Sequence, residues 1–177
     1  TKYREFRLAF PVNGANNKVL YEVPMGVVEV GKDEIKNSGG YGECQDVHPR
    51  EVQDWFAAYN GKSALTIGSD VSVFDWVDPV KGNTNEKVLQ PVLLSSRRSC
   101  HPLGPFYLQT GDHHYSCSIF SHKSDRVESM RLAKSAAFPM VAVVSPNKNA
   151  DAKLPEVLSF CEIDNTNALV SALKKCE

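Results

Sequence analysis

Apolar and polar residues alternate along the first third of the chain. The run from Phe6 to Phe10 takes apolar residues at every second position, and the same period returns from Lys18 to Val23. A period of two is typical of strands that bury one face. Val27 to Val30 adds another apolar segment after a Pro-Met-Gly break. The pattern therefore predicts a β-rich N-terminal part covering about residues 1–98.

Residues 49–59 follow a helical period instead. The apolar residues recur at i, i+3, i+4 and i+7, namely Val52, Trp55, Phe56 and Tyr59. Pro49 suits the first helical position, and Gly61 suits the position after a helix ends. This segment predicts an amphipathic helix that packs on a sheet.

Three further strands are predicted in the middle of the chain. Ala64 to Ile67 and Val71 to Val77 have the apolar, β-branched composition of strands. Val88 to Leu94 is similar but contains Pro91. Because proline cannot donate a ladder hydrogen bond, we place that strand at a sheet edge.

The last third begins with a strand and a capped helix. Tyr115 to Phe120 is short and apolar, as in a strand. Asp125 can cap a helix from about Ser124 to Ala137, and Glu128 three residues later can complete a capping box. Pro139 then prevents the helix from continuing.

Two apolar runs and a final helix follow. Met140 to Val144 contains no polar residue, which is typical of a strand covered on both faces. Val157 to Ile163 predicts another strand, and a closing helix begins at Asn165. The predicted order of this part is β-α-β-β-α.

This order resembles the C-terminal half of a thioredoxin-like fold, in which a helix runs into a proline that opens an internal strand. Ala136 to Val144 stands where the family's proline and strand would be, and Val157 to Lys175 is similar to its last strand and helix. The resemblance implies a thioredoxin-like part at about residues 99–177. The chain has no C-x-x-C, so the resemblance does not imply the family's dithiol chemistry.

We therefore predict a single α/β domain over residues 1–177, with α+β as the alternative. It consists of a mixed sheet with a β-rich N-terminal part and a thioredoxin-like β-α-β-β-α C-terminal half. The composition of the 177 residues, 42% hydrophobic and 23% charged, is ordinary for a soluble globular protein.

Charge and hydropathy exclude two classes of partner. The net charge is −1 and no block of like charges occurs, so the chain has no basic face for nucleic acid. No apolar run is long enough to predict a transmembrane segment. Thr1 as the first residue fits a processed chain of an organellar or secreted protein. It also fits a sequence that has been trimmed at this boundary. The compartment and the oligomeric state stay open.

Reactive side chains concentrate between Cys100 and His122. The cluster comprises Cys100, His101, Asp112, His113, His114, Cys117 and His122. Thiolate and imidazole are zinc ligands, so the admissible metal set is Cys100, His101, His114 and Cys117. Their spacing does not match paired zinc ligands, and an extended backbone puts His114 and Cys117 on opposite faces. We expect no metal and no cofactor here.

The same cluster offers a cysteine nucleophile. Cys117 or Cys100 could act with one of the histidines, and Asp112 could orient that histidine. No nucleophile elbow or helix N-terminus follows Cys117, so we predict no catalytic residue.

The five cysteines, at 44, 100, 117, 161 and 176, allow two disulfides and one thiol in an oxidising compartment, or buried thiols in a reducing one.

Three functions follow from these observations. The leading hypothesis is a non-catalytic protein-binding or accessory module, a subunit of a larger assembly whose partner is another protein. The second is a secreted, disulfide-stabilised interaction protein of the toxin or effector type. The third is a thiol- or metal-dependent enzyme centred on Cys100–His122.

Overall fold

A computed structural model describes residues 4–13, 18–36, 49–77, 86–98 and 105–144, together with 153, 155, 157–165, 167, 168 and 170. Contacts within the chain divide it into two units, residues 1–138 and residues 139–177. All the helices and strands of the described residues belong to the first unit.

The described part of the first unit contains twelve strands and one helix. They are β1 (Glu5–Arg7), β2 (Phe10–Asn13), β3 (Lys18–Val23), β4 (Gly26–Glu29), β5 (Arg50–Glu51), β6 (Trp55–Tyr59), β7 (Ser63–Ser69), β8 (Val73–Val77), β9 (Glu86–Ser95), β10 (Arg97–Arg98), β11 (Phe106–Tyr107), β12 (Cys117–Lys123) and α1 (Arg126–Ala137). No helix in the described residues is long and apolar enough to cross a membrane. The sheet-rich N-terminal part is confirmed.

The strands form two five-stranded sheets and one short pair. The central sheet has the order β12-β7-β6-β3-β4, and the outer sheet has the order β1-β9-β8-β5, with β2 also paired to β9. Strands β10 and β11 pair separately. Every pairing between described strands is antiparallel, as in α+β proteins.

The central sheet is buried on both faces because alternate residues of its strands point to opposite sides. One face and the outer sheet enclose an apolar core of Val19, Tyr21, Val52, Phe56, Ala58, Ile67, Phe74, Trp76 and Leu89. The other face packs on α1 through Leu20, Trp55, Ala57, Tyr59, Ala64 and Ala133. The unit therefore has three layers, with the central sheet between the outer sheet and the helix.

The predicted helix at residues 49–59 is wrong. This segment contains the short strand β5 and the strand β6. All five residues of β6 are buried, with Trp55 facing the helix and Phe56 facing the outer sheet. A strand buried on both faces has no polar alternation, and its aromatic residues happen to match helical spacing.

The prediction that Val88 to Leu94 forms an edge strand is also wrong. Strand β9 lies inside the outer sheet, with β8 on one side and β1 and β2 on the other. Pro91 lies opposite the gap between β1, which ends at Arg7, and β2, which begins at Phe10. Since the ladder is interrupted there, a residue without an N–H is tolerated, and the Pro91 carbonyl accepts a bond from Leu8 N at 3.2 Å.

The predicted helix after Ser124 is confirmed as α1. The Asp125 side chain accepts a hydrogen bond from Val127 N at 2.8 Å. The Asp125 N–H donates to Lys123 O at 2.7 Å, so it is not the partner of Glu128 that a capping box needs. The helix packs closely because Gly68 has no side chain: a Cβ there would lie 3.6 Å from Ala133 Cβ.

The second unit has no strand or helix among its described residues. The predicted buried strands at Met140 to Val144 and Val157 to Ile163 are therefore wrong for this structure. Met140 and Val144 are almost fully exposed, and a strand needs a paired neighbour and an apolar cover. Most of the closing helix predicted from Asn165 lies outside the described residues. The thioredoxin-like resemblance stays a prediction.

Candidate functional site

The loop before β12 carries three residues of the predicted reactive cluster. It meets the β1–β9 pair at an open hollow of about 480 Å³, lined by Phe6, Leu93, Leu94, Gly111, Asp112, His113, His114 and Tyr115. Gly111 has a φ of 94°, a backbone conformation that glycine adopts without steric cost. The structure therefore brings Asp112, His113 and His114 to one surface.

The hollow combines an apolar wall with imidazole groups. Phe6 and Leu94 lie directly opposite each other in the β1–β9 ladder, so their side chains share one face. The rings of His113 and Tyr115 stack at 6.4 Å between centroids. Ser116 N donates to both carboxylate oxygens of Asp70, at 3.0 and 3.1 Å, and this fixes the end of the loop.

Cys117 and His122 are separated from that loop and from each other. Cys117 packs at the margin of the core between the sheets, and its Sγ lies 3.4 Å from Ser69 Oγ. His122 pairs with Ala64 on the helix side of the central sheet. Cys100 and His101 lie outside the described residues, so the structure does not test the expectation that Cys100, His101, His114 and Cys117 hold no metal. Within the described residues, no three His, Cys, Asp or Glu side chains could hold a metal ion.

His122 is part of a hydroxyl network between the central sheet and α1. Its Nε2 lies 2.8 Å from Thr66 Oγ1 and 3.1 Å from Ser129 Oγ. Its Nδ1 lies 2.7 Å from the carbonyl oxygen of Lys123. A carbonyl only accepts, so in the neutral ring Nδ1–H is the donor and Nε2 accepts a hydrogen bond from a hydroxyl.

Ser129 is the centre of this network. Its Oγ lies 2.7 Å from Thr66 Oγ1, donates to the Asp125 carbonyl at 3.3 Å and also contacts the Tyr59 hydroxyl. Burial raises the pKa of Tyr59 to about 12, so its phenol stays a neutral donor. A Ser–His pair at this distance matches a nucleophile and its base, but Ser129 is 0% exposed. The arrangement positions α1 and offers no access to substrate.

Sequence reasoning missed this network for a specific reason. Thr66 and Ser129 are far apart along the chain, and the apolar period of residues 49–59 predicts a helix for Tyr59. Of the network, only His122 belongs to the reactive cluster that the sequence predicts. The signal in the sequence that could have indicated the network is Ser129, a polar residue on the same buried face of the helix as Ala133.

A buried ion pair joins β5 to the turn after β4. Arg50 donates to both oxygens of Glu34, at 2.6 and 3.1 Å, and its guanidinium lies 5.2 Å from the centroid of the Trp76 ring. Tyr21 donates to the same carboxylate at 2.8 Å. Burial raises the pKa of Glu34, but the bonds from Arg50, Gly31 N and Tyr21 outweigh it and leave the pKa below its usual value.

A second charged cluster lies on the helix side. Lys134 lies 3.0 Å from Glu22 Oε1 and also pairs with Asp54. Burial raises the pKa of Glu22 more than Lys134 lowers it. Glu22 Oε2 and Trp55 Nε1 are buried and have no hydrogen-bond partner among the described residues. The cluster fastens the end of α1 to β3 and to the turn before β6.

Comparisons of the chain with models of known families, with curated proteins and with solved structures give no match.

Proposed function

We propose that this chain is a non-catalytic accessory or protein-binding module within a larger assembly. The observation that supports the proposal is the set of exposed apolar side chains in residues 139–177. The set consists of Met140, Val141, Val143, Val144, Val157 and Phe160, each at least 85% exposed.

Exposed apolar groups of this size are costly in water. Burial of one large aliphatic or aromatic side chain contributes about 1.5–3 kcal/mol relative to exposure. Concentrated apolar exposure usually marks a surface that another protein covers. The partner therefore presents an apolar surface to this segment.

The first unit supports the proposal in a different way. Its Arg50–Glu34 and His122–Ser129 groups are bonded to one another inside the protein. They join separate elements of the fold to one another. The hollow at Phe6 and Tyr115 gives a further exposed apolar area on this scaffold.

Site-specific photo-crosslinking in the native cell tests the proposal. A benzophenone amino acid replaces Phe160, which is 86% exposed, and the control carries it at the exposed polar position Lys62. We expect a discrete adduct with another protein from position 160 and none from position 62. Excess unlabelled chain should compete for the adduct, whereas chain carrying Val143→Asp and Phe160→Asp should not.

Three outcomes would contradict the proposal. These are the absence of any adduct at 160, equal adducts at both positions, and competition that the two aspartates do not weaken. The first would mean that no partner covers the segment. The other two would mean that the contact does not depend on its apolar side chains.

A further inference from the structure

Strand β12 is the longest edge strand among the described residues. It has seven residues, whereas β4 has four, β1 three and β5 two. It pairs with β7 alone, from Cys117 opposite Ser69 to Lys123 opposite Ser63, without a register shift. In an antiparallel pair, about half of the residues direct their N–H and C=O groups away from the neighbour.

The Lys123 carbonyl at the end of β12 accepts a hydrogen bond from Asp125 N and lies 2.7 Å from His122 Nδ1. The other outward backbone groups of β12 have no hydrogen-bond partner in the part of the chain that the structure describes. The strand has no proline and no bulge, and its only charged residue, Lys123, is at its end. Natural edges are usually protected by such features. A regular edge without them is a template for the addition of another strand.

The side chains at this edge also leave apolar surface uncovered. Ile119 is 53% exposed on the face shared with Ile67, and Phe120 is half-buried on the helix side. An added strand would cover both. The helix α1 packs on one face of the sheet, so it leaves the hydrogen-bonding direction of the edge unblocked.

The sequence of β12 is complementary to itself in the antiparallel direction. With Phe120 on a two-fold axis, Ile119 lies opposite Ser121 of a second strand, Ser118 opposite His122, and Cys117 opposite Lys123. No two like charges face each other in this register. The axis places one Phe120 opposite the other, and cross-strand aromatic pairs stabilise sheets.

We propose that the occupant of this edge is a second copy of the chain, paired antiparallel through β12 about a two-fold axis at Phe120. The contact is isologous, as in most homodimers. It joins the two five-stranded central sheets into one continuous sheet. This inference is independent of the apolar segment in residues 139–177.

Two double variants that differ only in the sign of one charge test the register. Ile119→Lys with Ser121→Lys places like charges opposite each other at two symmetric points of the contact. Ile119→Lys with Ser121→Glu places opposite charges there. Both positions are exposed, so each double variant should keep the wild-type fold, which circular dichroism checks. Sedimentation equilibrium of the full chain measures the dimer constant.

We expect the wild type and the Lys/Glu variant to form dimers, and the Lys/Lys variant to associate roughly tenfold or more weakly. In addition, a cysteine introduced by Phe120→Cys should cross-link to its own copy, because directly opposite Cα atoms lie only about 4.5–5.5 Å apart. Peptide mapping identifies the 120–120 bond.

Two results would overturn the inference. One is a wild-type chain that stays monomeric over the whole accessible concentration range. The other is a dimer that persists unchanged in the Lys/Lys variant, which would require a different interface. The photo-crosslink at position 160 should be the same in the Lys/Lys variant and the wild type, so the two proposals can fail separately.

Discussion

The two faces of the central sheet are held in different ways, although the same strands supply both. On the core face, Phe56 stacks on Phe74 at 4.5 Å between ring centroids and a 14° interplanar angle. On the helix face, Ala57 and Gly68 leave room for α1, and hydroxyl and ion-pair contacts fix its position. Apolar burial supplies stability on one side, and directional polar bonds supply position on the other.

The largest expected effect is on the core face. Phe56→Ala removes a fully buried ring from between the sheets and should lower the free energy of unfolding by about 3–5 kcal/mol. Phe6→Ala is the matched control, because Phe6 is 51% exposed at the hollow and its removal should cost less than about 1 kcal/mol. Urea denaturation measures both. Similar losses for the two variants would mean that the core face is not the main source of stability.

The next test uses two glutamates, Glu34 and Glu22, whose pKa values in the folded protein are shifted in opposite directions from the ordinary glutamate value. Glu34→Gln breaks the buried pair with Arg50 and should cost about 3 kcal/mol at neutral pH. In the folded state the pKa of Glu34 lies below its unfolded value, which is about 4.3. Its contribution to stability is therefore complete above that value and is lost as the pH falls through the folded pKa.

Glu22 should show the reverse dependence. Its folded pKa lies above the unfolded value because burial disfavours the charge, so the folded state takes up the proton first. Its contribution to stability rises as the pH falls through the folded pKa. The deficit of Glu34→Gln relative to wild type should shrink on acidification, and that of Glu22→Gln should grow. Denaturation curves from pH 7 to pH 3 check the two slopes, and slopes of the same sign would contradict the contrast.

A smaller effect is expected in the hydroxyl network. Ser129→Ala leaves the buried Tyr59 hydroxyl without its serine partner and should cost about 1–3 kcal/mol. Ser135→Ala changes an exposed residue of the same helix whose hydroxyl donates to Leu132 O at 2.8 Å, and it should cost much less. Hydrogen exchange of the α1 amides should rise in Ser129→Ala alone. Equal exchange in both variants would show that the network does not hold the helix.

The smallest effect lies at the turn between β3 and β4, which touches neither packed face. Met25 has a φ of 67° and is fully exposed, so Met25→Gly should stabilise the protein by about 0.5–1 kcal/mol. Gly61→Ala is the converse change, at a φ of 86° with no atom within 4 Å of the added Cβ. It should destabilise by about 1 kcal/mol, purely through the backbone. Thermal melting curves measure both, and a destabilised Met25→Gly would argue against the turn geometry.

Elements with local signals were predictable from the sequence. Helix α1 has its start signal at Asp125 and its stop signal at Pro139, and the structure confirms both ends within two residues. Strand β3 was predicted with its bounds, because alternation of side chains needs no knowledge of the partner strand.

Elements whose pattern depends on a partner were not predictable. Residues 55–59 have apolar side chains on every side, and this fits a helix stripe as well as a strand between two layers. Only the presence of the outer sheet on one face and of α1 on the other decides for the strand. The position of Pro91 inside the outer sheet likewise depends on the break between β1 and β2, which belong to a distant part of the chain.

The candidate site shows the same difference between what the sequence predicts locally and what depends on contacts in the tertiary structure. The sequence alone identified Asp112, His113, His114, Cys117 and His122 as residues with reactive side chains. The tertiary structure separated them into a surface loop, a core margin and a helix contact, and it added Thr66 and Ser129 to His122. Chemical type is a property of each residue, whereas proximity depends on strand register and on the face to which each residue points. The register of β12 against β7 placed His122 beneath α1, where its imidazole binds two hydroxyls of the protein itself.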